Sequence, residues 1–212
     1  MIEVELIDHM GSDLTVVNSA RVSFGKKKET LDEKDTRLIN YLGRHKHISP
    51  FGHCFASFHV SAPVYVARQL VKHKFLRWNE VSRRYVDGEP ALHRTEVWRS
   101  RPTNSKQGSG EALSPARQEE ASQIIADTGA AALSGYSRLI GLGVAPEQAR
   151  ELLPGSLMTE WYWSGSLDAF ADMCNLRCKQ DTQQETRQVA EQIDKEMQRL
   201  YPHSWSALRH FE

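Results

Sequence analysis

The 212-residue chain has almost no cysteine, no excess of either charge and no long apolar run, and each shortage removes a class of protein. Cys54, Cys174 and Cys178 are the whole cysteine complement, an odd and sparse set that is no disulfide framework. A reducing compartment, the cytoplasm, is therefore expected. Lys plus Arg number 27 and Asp plus Glu 27, so no global field recruits a polyanion. Residues 1 to 8 alternate acids with apolar side chains and hold neither a basic nor an apolar leader region. No stretch approaches the ~20 apolar residues of a membrane-spanning helix, so no membrane partner is expected.

What is present is a mixture of α and β patterns. No repeat or linker interrupts them, which implies one domain over residues 1–212. Ile2, Val4 and Leu6 alternate with Glu3 and Glu5, which predicts an opening strand with one wet face. Asp13 and Asp32 suit the N-caps of helices through about Phe24 and Arg44, with Lys26 to Lys28 in a solvated loop between them. His53 to Ser61 read as a strand with Phe55, Phe58 and Val60 inward, and Pro63 opens a helix to about Lys74. Arg99 to Pro115 are rich in Ser, Gly, Asn, Gln and Pro and form a loop. Ser114-Pro115 then start a long helix carrying Ile124, Ile125, Thr128, Ala132, Tyr136 and Leu139 at helical spacing. A short helix from Pro146 to Leu153 ends against Pro154. Trp161-Tyr162-Trp163 read as core or interface packing. Ser166 or Asp168 starts a helix to about Arg177, and Thr182 starts a last long one with a buried stripe of Val189, Ala190, Ile193, Met197 and Leu200.

One segment stands out. Lys72-His73-Lys74-Phe75-Leu76-Arg77-Trp78-Asn79-Glu80-Val81-Ser82-Arg83-Arg84-Tyr85 holds five Lys or Arg side chains, a histidine and a single acid. Its position, where the helix from Pro63 is expected to run out into a loop, favours cations through the helix dipole. A plain solvated face mixes signs more evenly, so the cluster suits an anion. Phe75, Trp78 and Tyr85 interleave the charges, which makes a nucleic-acid patch the alternative. A neutral chain with one local basic cluster fits a small phosphorylated ligand better, and a nucleotide is the economical choice. Metal readings lack ligands. Cys174 and Cys178 share a helix face, yet zinc would need two more donors. His45, His47, His53 and His59 lack the i, i+4 histidine pair with glutamate of a helical zinc site, so a metal-dependent hydrolase is disfavoured and no metal is expected.

The same residues carry a resemblance. Lys72-His73-Lys74, seven residues, Ser82 and then Arg84-Tyr85 resembles the signature of the flavin-dependent thymidylate synthases, which reads Arg-His-Arg, seven residues, Ser. Ala20-Arg21-Val22-Ser23, His47-Ile48-Ser49-Pro50-Phe51, Pro63 and Ala67-Arg68-Gln69 precede it in that family's order and spacing. Ala149-Arg150, Leu153-Pro154, Asn175-Leu176-Arg177 and Glu185-Thr186-Arg187 follow it, so nearly the whole chain is covered. The resemblance implies an α+β fold: an antiparallel sheet flanked by helices, with a long helical C-terminal half. It also implies a homotetramer with FAD held between subunits, making dTMP from dUMP with methylenetetrahydrofolate as one-carbon donor and NADPH as reductant, and no nucleic-acid partner.

Matched residue by residue, Gln69, Lys72, Glu80, Ser82, Arg83, Arg84 and Arg187 line the dUMP site, with Ser82 and Arg84 at the phosphate. Ser23, Ser49, Lys72, His73, Lys74, Glu80, Asn175, Arg177 and Asp181 contact FAD. Arg187 and His47 are the implied catalytic residues, Arg187 supporting ionisation at the uracil N3 side and His47 standing near the flavin. His53 and His59 stay structural. Ser82 binds rather than attacks, because its sequence neighbours are arginines and not a base. The chain departs from the family at several places. Lys72 and Lys74 replace arginines and offer point donors instead of forks. Glu160 stands where some members direct an arginine at the nucleotide, Gly52 where an acid is common, Arg77 for a small residue, and Asp181 for a neutral or histidine side chain. These departures leave open another pyrimidine nucleotide as substrate or a hydroxymethyl product.

Overall fold

Alternation in the first strand, β1 (Glu3–Met10), sets its wet and dry sides: Glu3 and Glu5 are exposed while Val4 and Leu6 are half-buried. The structure, a computed structural model, describes residues 1–103 and 107–209. β1 pairs with β2 (Phe55–Pro63), from Glu3 opposite Ser61 to Met10 opposite Phe55, with a register shift between Leu6 and Asp8. β2 pairs with β4 (Met158–Ser166) and β4 with β3 (Leu76–Glu80), so the sheet runs β1-β2-β4-β3 with every neighbour antiparallel.

Period-two alternation then sorts the two faces. Ala56, Phe58, Val60 and Ala62 of β2 and Thr159, Trp161, Trp163 and Gly165 of β4 are buried. Trp78 of β3 stacks on Trp161 with ring centroids 4.4 Å apart, and Trp163 and Phe58 both meet Phe170 edge-on. Offset and edge-on contacts are those that aromatic quadrupoles favour. Gly165 is required by closeness, since a Cβ there would collide with Leu76 of β3. The opposite face carries Ser57, His59, Glu160, Tyr162 and Ser164 and is partly or fully wet.

α6 (Leu167–Arg177) and α7 (Gln184–Leu200) cover the dry face, α6 against β4 and α7 against β1. Phe170, Met173 and Cys174 of the first and Val189, Ile193 and Met197 of the second are fully buried, and burying side chains of this size is worth about 1.5–3 kcal/mol each. α3 (Val64–Leu70) follows β2 directly and packs beside α7. α1 (Asp13–Arg21), α2 (Glu33–Arg44) and α8 (Pro202–Leu208) form a flanking group. The buried Asp13 carboxylate accepts from His203 N at 3.0 Å and Ser204 N at 2.8 Å, satisfying donors that open α8. α4 (Pro115–Gly141) leans on the rest along a narrow line, with Gly129 and Tyr136 its buried residues, and α5 (Pro146–Ala149) follows it. Among the described residues no helix is long and apolar enough to cross a membrane.

The antiparallel α+β architecture agrees with the expectation, but several elements differ from it. The middle of the basic segment is not a loop after a helix. α3 stops at Leu70, and Leu76 to Glu80 form β3 because Leu76 and Trp78 alternate inward against Gly165 and Trp163. Trp161-Tyr162-Trp163 belong to β4, with the tryptophans in the core and Tyr162 outside. Pro63 ends β2 with ψ 152 and caps α3 instead of beginning it. Phe55, at the sheet end, is 43% exposed. Lys28 is no free solubilising charge: its ammonium bonds Asp32 at 2.7 Å and also the buried Asp35. Ile124 and Ile125 are exposed, and Leu200 is half-buried. The last helix begins at Gln184 and breaks at Tyr201, where Pro202 starts α8. Around the 99–115 loop, Arg99 bridges Ala112 and Ser100 N donates to Glu111 O, a short ribbon whose residues 104–106 lie outside the described residues.

Candidate functional site

The chain reverses between α3 and β3 through Lys72, His73, Lys74 and Phe75, and the reversal has a backbone cost. Phe75 sits at φ 65 with its ring 80% exposed. A bulky residue in the left-handed region, with its apolar ring in water, is strain of the kind that gathers at binding sites. Lys72 and Lys74 flank this turn, both exposed, and neither makes a hydrogen bond or ion pair among the described residues.

His73 turns inward instead. Arg177, at the end of α6, donates from Nε to His73 Nε2 at 3.0 Å and from Nη2 to Gln69 O at 3.3 Å. A guanidinium only donates, so Nε2 must be the acceptor and the imidazole proton resides on Nδ1. Burial and then the Arg177 charge push the His73 pKa down to about 4. The ring is thus neutral at physiological pH.

A second chain of bonds leads from the same turn of α3. Gln69 Nε2 donates to Gln183 Oε1, and Gln183 Nε2 donates to Glu185 Oε2 at 3.1 Å. Glu185 Oε1 accepts from Arg99 Nη2 at 2.6 Å, and Arg99 Nε donates to Ser109 Oγ at 2.7 Å. Burial is the largest influence on Glu185 and opposes its charge, but the hydrogen bonds from Arg99, the backbone and Gln183 together with the Arg99 charge outweigh it, and the carboxyl titrates below its usual range. This chain ties the 99–110 ribbon to the N-terminus of α7. Gly108, at φ +75, allows the close approach, its Cβ position lying 3.2 Å from Asp181 O.

At the far end of β3, Glu80 is held from two sides. Thr159 Oγ1 donates to Oε1 at 2.9 Å and Trp78 Nε1 to Oε2 at 3.1 Å. Just beyond it, Arg84 Nε donates to Ser82 Oγ at 3.2 Å, the Arg84 guanidinium lies over the Tyr85 ring at 4.8 Å, and Arg83 bonds Gly88 O at 2.6 Å. Glu160 belongs to the other face. Its pairing neighbours put it on the wet side of β4, where its Oε2 lies 3.3 Å from His59 Nε2. It therefore does not confront Glu80 or Ser82 within one chain.

The structure gathers Gln69, His73 and Arg177 into one bonded group, and Glu80 sits with Ser82 to Arg84 along the same edge strand and its extension. Arg187, on α7 two residues past Glu185, has long contacts, 3.4 Å to Gln180 O and 3.5 Å to Glu191 Oε1. Ser23 donates to Ala20 O in the turn after α1, and Ser49 and His47 are exposed in the turns between α2 and β2, with His47 stacked 6.0 Å from Tyr41. No hydrogen bond joins these three to the His73 group among the described residues. Asn175 faces the chain's own C-terminal helix: its amide donates to Leu208 O at 3.0 Å and its oxygen accepts from Arg209. Trp78, Thr159, Gln183, Glu185 and Arg99 were not among the expected site residues. Glu185 stood in a matched motif without a role, and Arg99 lay in a stretch that reads as plain loop.

Three clefts border residues 91–99. One of about 760 Å³ lies against α7, with Arg94, Arg99, Gln184, Glu185 and Gln188 in its wall. The others, of about 510 and 450 Å³, open toward α4 and toward Tyr65 and Pro154. Lys72, Lys74, Glu80, Ser82 and Arg84 line none of the three. Lys72, Lys74, Glu80 and Arg84 are exposed, whereas His73, Ser82 and Arg83 are half-buried.

The fold is thus an α+β scaffold with two exposed lysines in the turn before its edge strand, a doubly held carboxylate at that strand's end and a serine-arginine pair just beyond it. Comparison with known proteins gives the family. The Thy1 family, thymidylate synthase complementing protein, matches residues 5–203. The flavin-dependent thymidylate synthase of Thermus thermophilus is 38% identical over 204 residues, 96% of this chain and 74% of that one. The enzyme of the same name from Kosmotoga olearia is 35% identical over 208 residues, 98% and 90% of the two chains. Among solved structures, the UMP/dUMP methylase PolB from Streptomyces cacaoi bound with 5-Br dUMP superposes with a TM-score of 0.85 at 31% identity, over 98% of this chain and 94% of that one. Bound with 5-Br UMP, PolB gives 0.87 at 30% identity, over 98% and 93%. The chain belongs to the flavin-dependent thymidylate synthase family and is an enzyme of methyl transfer.

Proposed function

We propose that the protein is a cytoplasmic homotetramer, each chain one domain, that converts dUMP to dTMP with FAD as its flavin, methylenetetrahydrofolate as one-carbon donor and NADPH as reductant. The observation that carries this reading is the superposition of 98% of the chain on a methylase solved with 5-Br dUMP. The exposure of Lys72, Lys74, Glu80 and Arg84 supports the shared site, because ligands held by them would stay half in water until a second subunit covered them. Three free cysteines suit a reducing compartment.

The donors fit a flavin dinucleotide. Lys72 and Lys74 are uncommitted cations for a pyrophosphate, and the His73 Nδ1–H, fixed by Arg177, offers one directed donor. Bound there, FAD supplies the electron and hydride transfer that side chains lack. The protein's own part is positioning and charge. Ser82 Oγ already accepts from Arg84, the reverse of what an activated nucleophile needs, so both belong at the nucleotide phosphate. Arg187 can leave its long contacts for the uracil edge and stabilise negative charge as C5 becomes nucleophilic. Glu80, its carboxylate steadied by Thr159 and Trp78, would offer acceptor oxygens to the nucleotide or the flavin. Asn175 fits less well as a flavin contact, since both ends of its amide serve the C-terminal helix; it acts by fixing the end of α6 behind Arg177.

A second reading, that UMP is methylated as well, is favoured by the complexes of PolB with analogues of both nucleotides. Anaerobic incubation of flavin-loaded protein with NADPH, methylenetetrahydrofolate and either nucleotide, with products identified by mass, tests both. A methylated deoxynucleotide is expected, and a methylated ribonucleotide in the UMP arm supports the second reading. Protein that takes up no FAD and leaves both nucleotides unchanged overturns the proposal.

A further inference from the structure

Cys174 and Cys178 close the C-terminal end of α6 one turn apart, and Asp194 faces them from α7. One ligand atom of each lies within 4.8 Å of the other two. The two thiols are free, Cys174 fully buried and Cys178 partly exposed. The third donor is the one that spacing along the chain does not reveal. The Asp194 carboxylate is aimed by Trp205 Nε1 at 2.9 Å and Arg209 Nε at 2.6 Å, both on Oδ1. Ala190 O lies 3.6 Å from Cys174 Sγ and closes the inner side.

We propose that Cys174, Cys178 and Asp194 form a three-ligand site for a thiophilic divalent cation of the zinc and cadmium class, its fourth position open beside Cys178. Two thiolates and a carboxylate in tetrahedral array suit such ions. On binding, each thiol releases its proton to solvent and forms a metal–sulfur bond, with no electron transferred. The ligand set then carries three negative charges, which the dication and the adjacent Arg209 guanidinium neutralise. That balance matters at this depth, where an uncompensated charge is costly. The site does not rest on the activity proposed above. Its effect is mechanical: it pins the end of α6, with Asn175 and Arg177, to α7.

The test uses reduced full-length protein and Cd²⁺ alone. Thiolate-to-metal absorbance should rise in the ultraviolet and saturate at one ion per chain, confirmed by metal analysis after gel filtration. Cys178→Ser should weaken binding at least ~10-fold, Asp194→Asn should weaken it while keeping the thiolate band, and Cys54→Ser should leave it unchanged. Should Cys178→Ser fail to fold, protection of Cys178 from maleimide by Cd²⁺ in the wild type reads the same site. No uptake at micromolar Cd²⁺, uptake unaltered in Cys178→Ser, or no protection overturns the site.

Discussion

At the scale of single residues, His73 and Arg187 do opposite things with charge. His73 is held neutral down to about pH 4 in the folded chain, against an ordinary value of 6.5. Between those values the unfolded chain binds the extra proton, so this group makes stability fall as pH drops from 6.5 toward 4 and contributes nothing to the slope above. Urea midpoints measured across that window should show the decline, and His73→Gln, which keeps an acceptor for Arg177, should flatten it. Arg187 is held loosely, and a loosely held guanidinium is free to meet charge that develops on a substrate. Arg187→Ala should lower kcat/KM by about 100- to 1000-fold in steady-state assays, while the urea midpoint stays within the ~0.5 kcal/mol expected of a surface change. The sequence offers His73 and Arg177 separately, each as an expected flavin contact through the family's order of motifs. Their bond joins positions 104 residues apart, and the Arg99–Glu185 pair spans 86; no local pattern encodes either.

Elements were legible where hydrophobic period and capping agreed, and misread where charge masked the period. β1, α2 and α7 carry clean alternation or a clear stripe. β3 does not, because Arg77, Asn79 and Glu80 surround Leu76 and Trp78, and the two inward residues are too few to announce a strand. β4 was hidden by its aromatics: Trp161 and Trp163 point inward with Thr159 and Gly165, but a Trp-Tyr-Trp run reads as packing before it reads as alternation. The edge strand that displays the signature depends on Gly165 letting Leu76 approach. Gly165→Val should therefore destabilise the protein by about 1–3 kcal/mol through overpacking, and amide exchange of residues 76–80 should accelerate more than that of β1. Equal acceleration in both strands would mean that β3 is not docked by this contact.

For the whole molecule, Lys72, Lys74, Glu80 and Arg84 are exposed, three clefts lie to their side along residues 91–99, and α4 leaves Ile124 and Ile125 exposed. Fold and family were legible in the sequence because ordered motifs run along nearly the whole chain, while the bonds that join Gln69, His73, Arg177 and Glu185 were not, because they link positions far apart in it. If four chains share the sites, dilution should lower specific activity in step with loss of the tetramer in light scattering; constant specific activity in isolated monomers would rule out sharing. The most direct measurement of the proposed chemistry follows an isotope-labelled methylene group from methylenetetrahydrofolate, with NADPH and flavin-loaded protein, into the nucleotide. The label should appear in the 5-methyl group of dTMP, and its appearance should collapse in Arg187→Ala. Label that never leaves the folate while the protein holds both flavin and dUMP would contradict the assignment.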